Sequence, residues 1–167
     1  MRTPVYELHI RPLFRATDRE HMAFSLDLWD YDSVVANADD VLARVDGAGM
    51  PPDDSGGPWP EEWIALFRRW HESGHKRLEV GTGEFTLART PTAVTVTATG
   101  TFPGPGFEGW LQLESETDSA KTYVLYFEAP DSPGAGTPAA FTRKERYKAT
   151  DTRAVFVHDS NGVHELH

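Results

Sequence analysis

Two periodicities divide this chain. Up to residue 77 apolar positions recur at helical spacing; from residue 78 they alternate. In the first part Val34, Val35, Ala38, Val41, Leu42 and Val45 share a helical face, while Asn37, Asp39, Asp40 and Arg44 fill the others. Asp30-Tyr31-Asp32-Ser33 supplies N-cap candidates ahead of this helix, and Gly47 and Gly49 stop it. An earlier helix opens at Pro12 and runs through Leu13 and Phe14 toward Met22. After a proline- and glycine-rich loop at 48–60, Pro60 begins a third helix. Glu61 and Glu62 match its positive end, and Arg68, Arg69 and Lys76 its negative end. Trp63, Ile64, Phe67 and Trp70 form its apolar face, and Gly74 ends it.

The second part reads as short strands. Val94 to Thr99, Trp110 to Glu114 and Lys121 to Phe127 alternate as half-buried strands do. Further strands are expected at 79–88, 140–149, 153–158 and 162–166, with a tight turn at Ser160-Asn161-Gly162. About seven strands separated by turns predict an antiparallel β-sandwich or small barrel. The fold class expected is α+β, with a helical unit at 1–77 and a β unit at 78–167. Strand does not alternate with helix, so a doubly wound nucleotide fold is not expected.

Composition narrows the function classes. A chain of 167 residues with 5 Trp, 5 Tyr and 9 Phe can bury a substantial core. The net charge of −10 opposes nucleic acid and anionic membrane surfaces. It is spread evenly: 9 basic and 14 acidic residues in 1–77, 7 and 12 in 78–167. The absence of cysteine excludes disulfides, thiolate metal sites and a cysteine nucleophile. The first residues form no apolar leader, and no run approaches the ~20 apolar residues of a membrane span. A cytoplasmic location is the expectation.

The order Ile10-Arg11-Pro12-Leu13-Phe14, His21, Asp27-Leu28-Trp29-Asp30-Tyr31, the helix through Ala38 to Val45, Met50-Pro51-Pro52 and Gly57-Pro58-Trp59-Pro60 before a Trp-bearing helix resembles a bacterial c-type cytochrome. The resemblance covers residues 10–74. It implies a three-helix, cytochrome-c-like unit in which His21 and Met50 would be axial iron ligands. In such proteins a Cys-x-x-Cys-His segment attaches the haem. Here it reads Thr17-Asp18-Arg19-Glu20-His21, so thioether attachment is excluded. Haem could then be held only by axial ligands and packing. The expectation is instead a haem-free bundle without a cofactor, with Trp29, Trp59, Trp63, Phe67 and Trp70 filling the space.

Other chemistry is sparse. His71-Glu72-Ser73-Gly74-His75 spells the H-E-x-x-H zinc signature, but Gly74 interrupts the helix that signature needs. His158 and His164 lie on the arms of the last hairpin and could converge with His167 on a metal. No nucleophile elbow or phosphate-binding glycine motif occurs. Alternation in Arg143-Lys144-Glu145-Arg146-Tyr147-Lys148 puts its charges on a solvated sheet face.

No strong catalytic constellation emerges. The reading is a non-catalytic binding or accessory protein, acting through a protein or small-molecule contact. The alternative is a small enzyme with a pocket between the two units, lined by His21, Trp29, Met50 and Trp59, with His21 as acid or base. Small size and acidity also fit a toxin-neutralising immunity protein.

Overall fold

The computed structural model describes residues 2–47, 57–132, 134–148 and 150–167. The protein is α+β, and it divides into two compact units, Met1–Arg77 and Leu78–His167. No described helix is long and apolar enough to cross a membrane.

The helical unit starts with a π-helical turn at Tyr6–Ile10 and a 3-10 turn at Arg11–Leu13. Among the described residues four helices follow: α1 (Ala16–Met22), α2 (Tyr31–Ala36), α3 (Ala38–Asp46) and α4 (Glu61–Glu72). The helix expected from Pro12 begins later, because Phe14 is extended at ψ 112°. Asp18 then anchors α1 by accepting the Arg15 N–H at 2.9 Å. Asp30 caps α2, its carboxylate accepting Ser33 N–H at 2.8 Å. The single helix expected through 34–45 is broken at Asn37, which leaves helical geometry at φ −118°, ψ 16°. Its side-chain amide donates to Ser33 O at 2.8 Å, and its N–H to Val34 O at 3.2 Å. Such local bonding competes with the helical ladder.

Trp70 and Phe67 on α4 are fully buried, and an aromatic chain grows from them. Phe67 meets Trp70, Phe14 and Trp59 at ring-centre distances of 5.4, 6.2 and 6.1 Å. Trp70 meets Tyr6 at 5.8 Å, and Tyr6 meets Tyr31 at 5.3 Å. Lys76 O accepts both Trp70 Nε1–H and the Tyr6 N–H at 2.9 Å. That carbonyl ties the end of α4 to the π-helical turn.

The described residues of the β unit form eight strands: β1 (Glu79–Val80), β2 (Glu84–Arg89), β3 (Ala93–Thr101), β4 (Glu108–Glu116), β5 (Ala120–Glu128), β6 (Ala140–Lys148), β7 (Ala154–Asp159) and β8 (Gly162–Leu166). One sheet pairs β2, β3 and β6 in that order. In the other, β4 lies along one edge of β5, while β7 and then β1 share the opposite edge; β8 follows β7. Val96, Ala98 and Phe141 of the first sheet share an apolar cluster with Leu111, Leu125, Phe127, Val155 and Val157 of the second.

Two expectations need correction. The segment 79–88 is not one strand: β1 pairs with β5, β2 pairs with β3, and the chain changes sheets at Gly81-Thr82-Gly83. A Cβ at Gly81 would lie 2.6 Å from the Phe127 ring, so only glycine lets the crossing pass this close. The sheets are also not wholly antiparallel. β5 and β7 run parallel, Tyr123 facing Val157, because β6 intervenes in the other sheet and returns the chain in the same direction. The alternation in β6 leaves Lys144, Arg146 and Lys148 exposed, as its pattern predicts.

Two substitutions test these cores. Trp70→Ala should cost about 3–5 kcal/mol in urea unfolding, the range for deleting a buried large aromatic. A Cβ at Gly109 would fall 2.8 Å from Phe127, 2.9 Å from Phe102 and 3.0 Å from Tyr126 O. Gly109→Ala should therefore cost about 1–3 kcal/mol by overpacking. A neutral effect at either position would contradict the packing described.

Candidate functional site

The helical unit contains a cavity of ≈ 470 Å³. Its walls are apolar: Phe14 from the end of the 3-10 turn, Leu26 and Leu28 from the α1–α2 connection, Val41 and Val45 from α3, and Trp59. Phe14 and Trp59 are buried and pack together with ring centres 5.4 Å apart. The cavity thus backs onto the aromatic chain. Polar side chains are few. His21 and Asp18 come from α1, Ser25 from the turn after it, and Arg44 from α3. Phe24 also lines the cavity, yet it is 88% exposed.

The residues expected at a pocket separate here. His21 and Trp59 both line the cavity. Trp29 does not: it is 46% exposed, with the Arg19 guanidinium 4.6 Å from its ring centre. Arg19 is itself held by Asp27 at 3.2 Å, and Asp27 Oδ1 accepts the Trp29 N–H at 2.9 Å. That local network keeps Trp29 out of the aromatic chain it was expected to join. Met50 lies outside the described residues. Thr17 and Glu20, in the places of the cytochrome cysteines, are exposed on α1. The residues present therefore do not fit a covalently held haem. The described residues that line the cavity belong to the helical unit.

The sequence did not single out Asp18, Phe24 or Arg44. Arg44 sits between Val41 and Val45, so the amphipathic edge of α3 carried the signal. Nothing in the sequence distinguishes an exposed Phe24 from a core phenylalanine.

The H-E-x-x-H histidines do meet, though as a hydrogen-bonded pair. α4 ends at Ser73, and Gly74 (φ 88°) and His75 (φ 62°) both take left-handed backbone. The turn brings His75 Nε2 to 2.8 Å from His71 Nδ1. His71 Nε2 lies 2.9 Å from Asp39 Oδ1 on α3. With Asp39 accepting from Nε2–H, neutral His71 has only Nδ1 free to accept, and His75 donates to it. A proton lies between the two rings. His75 also packs on Trp70 at 4.8 Å, and its carbonyl accepts Tyr31 O–H at 2.7 Å. Burial lowers the His75 pKa, as does the neighbouring His71, and Asp39 opposes them.

His158 and His164 do not converge. His164 pairs across the hairpin with Val157, so the two share a sheet face, while His158, one residue on, points to the opposite face. Each has its own carboxylate: His158 Nδ1 is 3.0 Å from Glu114 Oε1, and His164 Nε2 is 2.8 Å from Asp159 Oδ1. Among the described residues no group of three or more His, Asp or Glu is arranged to hold a metal.

A polar cleft on the β unit is lined by Lys121, Tyr147, Asp151 and Arg153. Three of its charges pair with one another or with Glu116: Asp151 takes Arg153 at 2.7 Å and Lys121 at 3.3 Å, and Arg153 also reaches Glu116. The Arg153 hydrogen bond holds the Asp151 carboxyl well below the usual carboxylate range. The cleft is a structural ion cluster.

No family model, curated protein or solved structure matches this chain.

The depressed His75 pKa has a signed consequence. The unfolded chain takes up the proton more readily, so this contribution to stability is present above the ordinary histidine value of about 6.5 and is lost as pH falls below it. The urea midpoint should drop between pH 7.5 and 5.5. His75→Asn tolerates positive φ but does not titrate, and should show a smaller drop. Equal drops in both proteins would show that His75 is not the sensor.

Proposed function

We propose that this is a haem-free, non-catalytic binding protein whose helical unit takes an apolar small molecule in the cavity beside His21. The observation that carries this reading is Phe24. It is a large apolar side chain left 88% in water at the edge of a cavity walled by Leu26, Leu28, Val41, Val45 and Trp59. A ligand seated there would cover it. A volume of ≈ 470 Å³ falls in the range of small-molecule sites, about 300–1,000 Å³.

The finer architecture belongs to the same proposal. We read the helical unit as a cytochrome-c-like arrangement of three helical segments, α1, the broken α2–α3 pair and α4, adapted to a different ligand. The apolar cluster shared by its two sheets supports reading the β unit as a sandwich. A second reading, a small enzyme with His21 as acid or base, is favoured by the presence of both His21 and Asp18 at the cavity. It requires turnover of the bound ligand rather than its simple release.

Two measurements test the proposal. The neutral fluorophore N-phenyl-1-naphthylamine should bind the protein at one site. Phe24→Ala should weaken it about tenfold, since covering a phenylalanine is worth about 1.5–3 kcal/mol and each 1.4 kcal/mol is tenfold. So exposed a side chain can be removed without loss of fold, so absence of fluorophore binding to the parent protein would defeat the reading. The isolated protein should also lack a Soret band. A stoichiometric six-coordinate spectrum on adding hemin, lost in His21→Ala, would overturn the haem-free assignment.

A further inference from the structure

The walls of the cavity say that its ligand is apolar; the mouth says what its polar end is. This step rests on the binding reading above and extends it to ligand class. Two groups able to favour an anion stand at the opening, Arg44 on α3 and His21 on α1. Both residues are exposed, and neither side chain has a hydrogen bond or ion pair with another described residue. Other cationic side chains nearby are engaged: Arg19 with Asp27, and Arg68 with Asp46. Among the described residues Asp18 is the one acidic residue lining the cavity, and its Oδ2 already accepts the Arg15 N–H at the start of α1. Among the described residues the unassigned polar capacity at the mouth is thus a guanidinium and an imidazole.

From this pairing of an apolar wall with Arg44 and His21 side chains that have no partner among the described residues, we infer that the cavity takes an amphipathic monocarboxylate. The aliphatic or aromatic body lies against Trp59, Val41 and Leu28, and the carboxylate remains at the mouth. The guanidinium matches a carboxylate in plane and can donate two parallel hydrogen bonds. His21 offers a ring N–H when neutral and a charge when protonated. The net charge of −10 repels anions at long range. Selection of an anion therefore comes from the local contact at Arg44.

Three probes with one chain length test the inference: octanoate, 1-octanol and octylamine, each competed against N-phenyl-1-naphthylamine on the full chain. Octanoate should bind about fivefold more tightly than 1-octanol, the upper value for a solvent-exposed ion pair. Added salt should narrow that gap. Arg44→Gln should bring octanoate to the affinity of 1-octanol, and a circular-dichroism spectrum matching that of the parent protein shows that the variant is folded. Equal binding of acid and alcohol to the parent protein would overturn the anionic head and leave the apolar site standing. Tighter binding of octylamine would overturn it too, and would make Asp18 the polar determinant. Fluorophore binding with no competition from any of the three would overturn the ligand class alone. Absence of fluorophore binding would remove the site and the inference together.

Discussion

Helices as short as α1, α2 and α3, with seven, six and nine residues, do not persist in water without tertiary contacts. Burial of Trp70 and Phe67 on α4 supplies those contacts. Tyr6 and Tyr31 reach Trp70 from the π-helical turn and from α2, while Phe14 and Trp59 reach Phe67 from the connecting segments. Edge-on and tilted ring contacts give these groups a preferred geometry as well as buried area. The carbonyl of Lys76 then fixes Trp70 and Tyr6 together. The helical unit is organised by Trp70 and Phe67 of α4 and the rings around them.

The cavity inherits its shape from that arrangement. Phe14 and Trp59 belong to the aromatic chain on one side and to the cavity wall on the other. The wall is therefore stiff where it meets the core. The opposite rim, at His21, Phe24 and Arg44, carries exposed side chains that can adjust to a ligand. Stable binding in such a site would add to the stability of the helical unit by mass action, because the site exists only in the folded chain.

Sequence periodicity was informative where a side chain's role follows from its neighbours. The apolar face of α4, its end near Gly74, the alternation of β6 and the turn after Asp159 were all legible. What escaped reading depended on particular side-chain partners, near or far in sequence, that periodicity does not register. The break at Asn37 hangs on a side-chain bond to Ser33. The sheet change at Gly81 hangs on Phe127, some forty-five residues onward. Trp29 reads as a core residue, yet Arg19 and Asp27 hold it at the surface. At the site, His21 and Trp59 were legible through the cytochrome resemblance, whereas Phe24 and Arg44 became visible only once α1 and α3 were placed around one cavity.

The central position of β5 also governs the order in which the β unit can form. Both of its edges are occupied, by β4 on one side and by β7 and β1 on the other. β1 is the earliest strand of the unit, but its partners are Tyr126 and Phe127. β7 needs the same strand, and β8 needs β7. On a ribosome the first strand to emerge must wait, unpaired, for nearly fifty further residues. The hairpin of β4 and β5 is the first pairing in this sheet that vectorial synthesis allows. β1 is only two residues long, so the edge left bare during that wait is too short to recruit another chain.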